Sequence, residues 1–505
     1  MLKKYSYLLI IGVFILLPYW LACYFQGEEV FSGLLFNPID GFSYLAKMRE
    51  GWNGNWLFVL PYSSDQGTGE YIFVFYLFLG HLARITHLSL ISVFHFARIC
   101  GSIFLIWSIH FFIKKVCIFR NRQIIEGAVL CCLSSGLGWA ALIFGKITPD
   151  FWLAEAYPFL SMFANPHFPI GLGILLQIFG RIDDPGSKRN YSWLITLGLL
   201  LSIILPFGFV ISAIVLILKV IWEILEKQTV AYKNIVAVMS LGGIWLIYQY
   251  YAILSDPILV LWNEQNVTLS PPVLDLLIAI SPALIFGIIG LIGLLKKKEI
   301  YGRRLVISWL VGCCILAVLP FSMQRRFLTG IFVPVCILAM FGLEMIRNRW
   351  NWAQKWAYPG LLLLSLPTSL LIVIMFLQAG LIHDPRLFIS KSEASAFSWM
   401  ENNIPDGSLV LSSPDTGLLL PVYTNSRVLY GHPFETVHAD LEKESVLKYF
   451  SGQLLFEDKK NYLKNRKIDY IFYGPREKSL NANPFFENEN IIFTNEYVDI
   501  FQVAQ

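Results

Sequence analysis

About twenty consecutive apolar residues suffice to carry a helix across a bilayer, and this chain contains about eleven such stretches, some short or broken by proline. They lie near 6–25, 93–113, 124–145, 166–180, 192–206, 207–225, 234–254, 273–295, 304–321, 326–346 and 357–379. The pattern predicts a polytopic α-helical membrane protein, because a backbone in hydrocarbon has to bond to itself. Composition agrees. Of 505 residues, 56% are hydrophobic and only 15% charged, where a soluble domain carries about 25%. An ordinary soluble enzyme, a disordered chain, a collagen and a disulfide miniprotein are excluded. With 39 basic against 35 acidic residues the net charge is +4, too balanced to indicate nucleic acid. The Cys131-Cys132 and Cys313-Cys314 pairs sit in apolar runs without C-x-x-C spacing and read as small core residues.

Orientation follows from the bases, which the positive-inside rule holds on the cytoplasmic side. Lys3 and Lys4, Lys114 to Arg122, Arg181 to Arg189, Lys296 to Arg304, and Arg347 to Lys355 all fall on one face, provided that the stretch from Tyr71 to Ile85 does not cross. That stretch is short, rich in Phe and Tyr, and followed by His87, as suits a segment lying along the outer interface. The first span follows Lys3 and Lys4 but lacks a small-x-small exit, so it reads as an uncleaved anchor. The expected topology is a plasma-membrane protein with its N-terminus inside, a long first outer loop over 26–92, a second over about 146–165, and an extracytoplasmic tail. The division is residues 1–383, a transmembrane module, and 384–505, a soluble α/β domain.

The tail alternates helix and strand. A helix capped by Ser392 runs to Asn403, runs at 408–412 and 427–431 read as strands, and helices are expected near 438–450 and 457–465. A strand at 469–473 and a final hairpin, 490–494 with 497–503, complete a small three-layer domain. It contains neither G-x-G-x-x-G nor a P-loop.

Candidate chemistry concentrates in the outer loops. Asn37-Pro38-Ile39-Asp40-Gly41-Phe42-Ser43-Tyr44 opens the first loop, with Asp40 about 15 residues beyond the first span. A carboxylate there is easily solvated and close to the membrane surface, a candidate general base for a lipid-linked substrate. Its plainer role is to cap the helix that follows. In the second loop Glu155 and His167 sit among aromatic residues at the membrane lip, where polar groups are costly and so more often functional; an interfacial belt of Trp152 and Tyr157 beside a solvated Glu155 is the equal alternative. Gln324-Arg325-Arg326 occupies an outer turn. Paired guanidiniums there oppose the positive-inside bias and call for an anion, a phosphate or diphosphate headgroup, with an ordinary bilayer phosphate as the competing partner. Arg98, in the outer half of the second span, is a buried charge expected to pair with Asp40 or Glu155. The histidines make no zinc spacing and no serine stands in a nucleophile elbow, so neither a metal site nor a hydrolase is read.

Taken together, the first span, the long loop with its early Asp40, the segment Tyr76-Leu77-Phe78-Leu79-Gly80-His81-Leu82-Ala83-Arg84, the entry Phe96-Ala97-Arg98 and the outer α/β tail resemble the GT-C superfamily of polyprenyl-phosphate-sugar-dependent membrane glycosyltransferases. In the tail, Ala396-Phe397-Ser398-Trp399 before Asn403-Ile404-Pro405, and Tyr430-Gly431-His432-Pro433-Phe434-Glu435-Thr436, are similar to bacterial members. The resemblance covers essentially the whole chain. It implies inverting transfer of a sugar from a polyprenyl-phosphate donor to a glycan, lipid or protein acceptor at the outer face. Asp40 would act as base, with Glu155 a second catalytic candidate. Arg325 and Arg326 would stabilise the departing phosphate, and Tyr44, Arg98, His167 and Gln324 would help to bind substrate. Gly41 and Phe42 follow Asp40 where many relatives carry a second acid, which argues against a metal-bridged mechanism; no cofactor is read, and a divalent metal stays an open alternative that the sequence does not support. Two other readings remain open: a carrier of lipid-linked sugar, which would need paired charges deep in several helices, and an envelope scaffold in which Asp40 only caps. The enzyme reading predicts that Asp40, Glu155 and the arginine pair converge on one outward cavity.

Overall fold

The computed structural model describes residues 2–117, 119–296, 302–481 and 490–503. Lys297 and Lys298 of the expected basic cluster lie outside the described residues. The chain forms two compact units, one from Met1–Pro18, Phe94–Tyr248 and Val267–Gln378, the other from Tyr19–Val93, Gln249–Asn266 and Ala379–Gln505.

Among the described residues six helical segments are long and apolar enough to span a bilayer: Leu90–Val116, Asn121–Leu142, Pro206–Leu225, Tyr232–Ser255, Gln324–Arg349 and Asn351–Leu381. The pair Val273–Ala279 and Ala283–Lys296, bent by 89°, makes a seventh if it counts as one. These are fewer than the eleven expected; the first expected span forms the 23-residue helix Leu2–Tyr24, and three others form shorter helices. The apolar runs near 166–180, 192–206 and 304–321 do form helices, His167–Arg181, Lys188–Ile204 and Arg303–Val318, of 15, 17 and 16 residues. At 1.5 Å per residue these fall short of the roughly 30 Å of hydrocarbon. The stretch from Tyr71 to Ile85 gives a helix of only 13 residues, Val74–Thr86, and is likewise too short.

The second unit is built around two helices of the first loop. Pro38 presets the first helical φ of Pro38–Asn53, which ends where Gly54, at φ 102°, donates its N–H back to Glu50 and Gly51. One face buries Phe42, Leu45, Ala46 and Met48. This helix crosses Val74–Thr86 at backbone contact. A Cβ on Gly51 would lie 2.0 Å from the Leu77 carbonyl oxygen, and one on Gly80 would lie 1.9 Å from that of Met48. Only glycine permits that approach.

The same unit holds the tail. Strand β1 (Glu29–Phe31) pairs antiparallel with β2 (Phe388–Ser390), Val30 opposite Ile389. The main sheet comprises β3 (Leu409–Leu411), β4 (Arg427–Val428), β5 (Tyr470–Tyr473), β6 (Asn490–Thr494) and β7 (Asp499–Gln502), in the order β4-β3-β5-β7-β6. β3 runs parallel to β4 and β5, while β7 runs antiparallel to β5 and β6. Alternation along β5 makes three layers. Ile471 and Tyr473 join Val446, Tyr449 and Leu463 from the Ala439–Phe450 and Phe456–Asn465 helices. Phe472 faces the other way, 5.3 Å from the ring of Phe397 on the Lys391–Asn403 helix. That helix is capped by Ser390 rather than Ser392. The Ser390 hydroxyl accepts from the Glu393 N–H while the Glu393 carboxylate accepts from the Ser390 N–H, a reciprocal capping box. The helix Pro414–Tyr423 was not anticipated.

Candidate active site

Asp40 sits in the first turn of the Pro38–Asn53 helix, not at its cap. Asn37 occupies the cap position in the left-handed conformation, φ 46°, and its side-chain amide donates to Asp40 Oδ2. The positive end of the helix dipole favours an ionised carboxylate at this position. The side chain keeps 37% of its surface exposed.

Residues Asp40, Ser43, Tyr44 and Lys47 recur at i, i+3, i+4 and i+7 and so share a helix face. Lys47 is fully buried, with its ammonium 2.5 Å from Glu435 Oε1 and 2.6 Å from the Ser43 hydroxyl. The rings of Phe73, Phe58 and Tyr44 lie 4.5, 5.2 and 5.4 Å from that ammonium. Such a charge is tolerable inside protein only when paired and surrounded in this way. Burial pushes the Glu435 carboxyl up, but Lys47 and then His432, together with hydrogen bonds from Lys47 and Ser43, hold it below its ordinary value. Tyr44 stacks on Tyr76, centroids 4.3 Å apart at 14°.

The third participant comes from the tail. His432 is buried, and its Nδ1 accepts the backbone N–H groups of Phe434 and Glu435 at 3.1 and 3.2 Å. With Nδ1 accepting, the neutral ring carries its proton on Nε2. That Nε2 lies 3.7 Å from Asp40 Oδ1. Neither His432 nor Glu435 was selected from the sequence, because what brings them to Asp40 is tertiary. Lys47 did leave a signal, the seven-residue spacing from Asp40.

The other unit assembles a second cluster. Arg325 Nε lies 3.6 Å from Glu155 Oε1, and its guanidinium lies 5.5 Å from the Trp152 ring. The backbone fixes this meeting: Gly330 N–H donates to the Glu155 carbonyl and Arg325 N–H to that of Thr268. The Arg326 guanidinium lies 5.3 Å from the Phe207 ring. The Nε atoms of both arginines are buried without a hydrogen-bond partner among the described residues. Gln324 serves as a clasp, its amide accepting from Ser270 N–H at 3.2 Å and donating to the Leu319 carbonyl at 2.8 Å. Arg98 is buried and donates to the His95 ring at 3.2 Å and the Met162 carbonyl at 3.1 Å. His167 is buried at the start of its helix, its ring 4.0 Å from that of Phe168. Asp150, passed over in the sequence, is fully buried and accepts from Gly136 N–H, Gly138 N–H and Thr148 Oγ1. Those bonds make it a structural pin. Among the described residues no group of three His, Cys, Asp or Glu side chains is placed to hold a metal ion.

Compared as a sequence, the chain matches no established family profile and no curated protein. Compared as a structure, it is similar to an archaeal oligosaccharyltransferase, AglB from Archaeoglobus fulgidus, solved with an inhibitory peptide and a dolichol-phosphate. The TM-score is 0.58 at 12% identity, over 94% of this chain and 70% of that one. ArnT from Cupriavidus metallidurans, solved bound to undecaprenyl phosphate, aligns with a TM-score of 0.54 at 10% identity over 99% of this chain and 98% of its own. Arabinofuranosyltransferase AftD from Mycobacteria aligns at 0.53 and 13% identity, over 98% of this chain and 40% of the larger protein. At these identities the likeness speaks to architecture alone: the chain shares its fold with these three proteins.

Proposed function

We propose that the protein transfers a sugar from a polyprenyl-phosphate carrier to an acceptor hydroxyl at the outer face of the plasma membrane, with inversion at the anomeric carbon. The observation that carries this reading is Asp40: a half-exposed carboxylate on a first helical turn, backed by buried charges, in a chain with this fold. Asp40 takes the proton of the acceptor hydroxyl as its oxygen bonds to the anomeric carbon. The bond from that carbon to the phosphate oxygen breaks, and its electron pair leaves with the polyprenyl phosphate. Inversion follows from attack opposite the leaving group. Arg325 and Arg326 meet the charge growing on that phosphate, and their buried Nε atoms, which make no hydrogen bond among the described residues, support the role. Glu155 holds Arg325 in place. Tyr44, Arg98, His167 and Gln324 shape or brace the substrate-binding surfaces.

The test is transfer from undecaprenyl-phosphate-linked radiolabelled sugars into native membranes, comparing the wild type with Asp40→Asn. Loss of a general base lowers the rate by about 10² to 10⁴. Undiminished transfer by the variant overturns the assignment.

A further inference from the structure

We propose that His432 is the positioning residue of Asp40: the tail presents an imidazole N–H to the carboxylate and thereby keeps it ionised and aimed. This rests on the reading of Asp40 as the base. The ring has no freedom to serve otherwise. Two backbone N–H groups, from Phe434 and Glu435, converge on its Nδ1. The loop that carries it is closed on itself, with Gly431 and His432 N–H donating to Thr436 Oγ1 and Thr436 N–H returning to the His432 carbonyl. Gln265 clamps the same loop from outside, donating to the Thr436 carbonyl at 2.6 Å and accepting from His438 N–H at 3.1 Å. A Cβ on Gly431 would lie 2.4 Å from the Gly417 carbonyl oxygen and 2.6 Å from Tyr62, so the loop sits where only glycine allows.

What this framework holds in place is a buried donor without a hydrogen bond. His432 Nε2 has no partner within hydrogen-bond distance among the described residues, and Asp40 Oδ1 lies 3.7 Å away. A buried histidine kept only for packing satisfies both nitrogens, because a stranded donor forfeits its hydration without a bond in return. The gap exceeds a hydrogen bond by roughly half an ångström. The groups facing the ring are Asp40 from the Pro38–Asn53 helix, Tyr62 from the first loop and Glu435 from its own loop, the last tied to Lys47. A donor aimed at a carboxylate favours its ionised form, so removing it raises the pH at which Asp40 takes up a proton.

Two substitutions separate the donor from the loop. His432→Asn places an amide oxygen where Nδ1 accepts the loop N–H groups and deletes the donor; His432→Gln reaches toward the Nε2 position and restores one. The primary measurement is carbodiimide labelling of Asp40 against pH in the purified full-length protein, read by peptide mass spectrometry. It reports the protonated carboxyl and needs no activity. The expected result is a labelling midpoint about one pH unit higher in His432→Asn and close to wild type in His432→Gln. Transfer from an undecaprenyl-phosphate sugar should fall roughly 10- to 100-fold in kcat for His432→Asn with little change in KM. An unshifted midpoint in His432→Asn overturns the positioning role, even where Asp40→Asn abolishes transfer. Full transfer by Asp40→Asn removes the underlying reading instead, whatever the midpoint does.

Discussion

Lys47 and Glu435 form an ion pair at 2.5 Å in which the lysine side chain is wholly buried and the glutamate one-tenth exposed. A residue of the first loop and one of the tail are thereby locked into one unit. Beside them Arg49 reaches Asn425 at 2.9 Å and Glu401, and Val428 N–H donates to the Pro61 carbonyl. Loop and tail therefore hold the Asp40 face jointly.

Breaking that pair from one side should be severe. Lys47→Met leaves Glu435 buried and uncompensated, which costs about 3–5 kcal/mol, whereas the double substitution Lys47→Met with Glu435→Leu should recover most of the loss. Thermal unfolding in detergent reads both; a single variant as stable as the wild type would refute the account.

Acid should attack the same pair. Glu435 is held below its ordinary value in the folded protein, so its contribution to stability is complete above that value and disappears as pH falls through the depressed one. The thermal unfolding midpoint of Glu435→Gln should vary less with pH across that window than the wild type's.

Arg325→Lys keeps the charge but removes the planar fork that grips a phosphate. The expected outcome is a loss in transfer on the order of 10²-fold, with Arg325→Ala worse. Arg326→Ala should weaken binding of undecaprenyl phosphate, measured by calorimetry in detergent, by roughly tenfold. Equal affinity in wild type and Arg326→Ala would remove that arginine from the phosphate site.

Gly80→Ala forces a methyl group against the Met48 carbonyl at the helix crossing. The helices must part, and a cost above about 2 kcal/mol is expected, together with loss of transfer, since Asp40 and Lys47 ride on the displaced helix. A smaller effect, about 1 kcal/mol, should follow Ser390→Ala, which removes one half of the capping box.

Local pattern made much of this architecture readable in advance. Short apolar runs located β3, β5 and the closing hairpin, and the short Val74–Thr86 helix was marked by its length, its aromatic content and the placing of the basic clusters. Helix length was harder to read than helix character, because hydropathy sees composition, and His167–Arg181 is apolar without being long. The cap fell at Ser390 rather than two residues later, since Ser390 and Ser392 differ only in which one has Glu393 three places on. Strands β1 and β2, three residues each, carry no periodicity that could be heard above noise; their pairing is set by the fold. The site divided in the same way. Asp40 and the arginine pair stood out as charges in unusual places, and Glu155 proved to meet Arg325. Arg98, the buried charge of the second span, donates to the His95 ring and the Met162 carbonyl. His432 and Glu435 gained meaning only when the tail folded beside the first loop.

The β1–β2 ladder sets a schedule for biosynthesis. Glu29–Phe31 leaves the ribosome early, while its partner Phe388–Ser390 follows only after several hundred more residues. At about 5–20 residues per second, that interval is on the order of tens of seconds. Throughout it the nascent first loop lacks both its strand partner and the histidine beside Asp40, so a half-made polypeptide carries its acid without the apparatus that directs it.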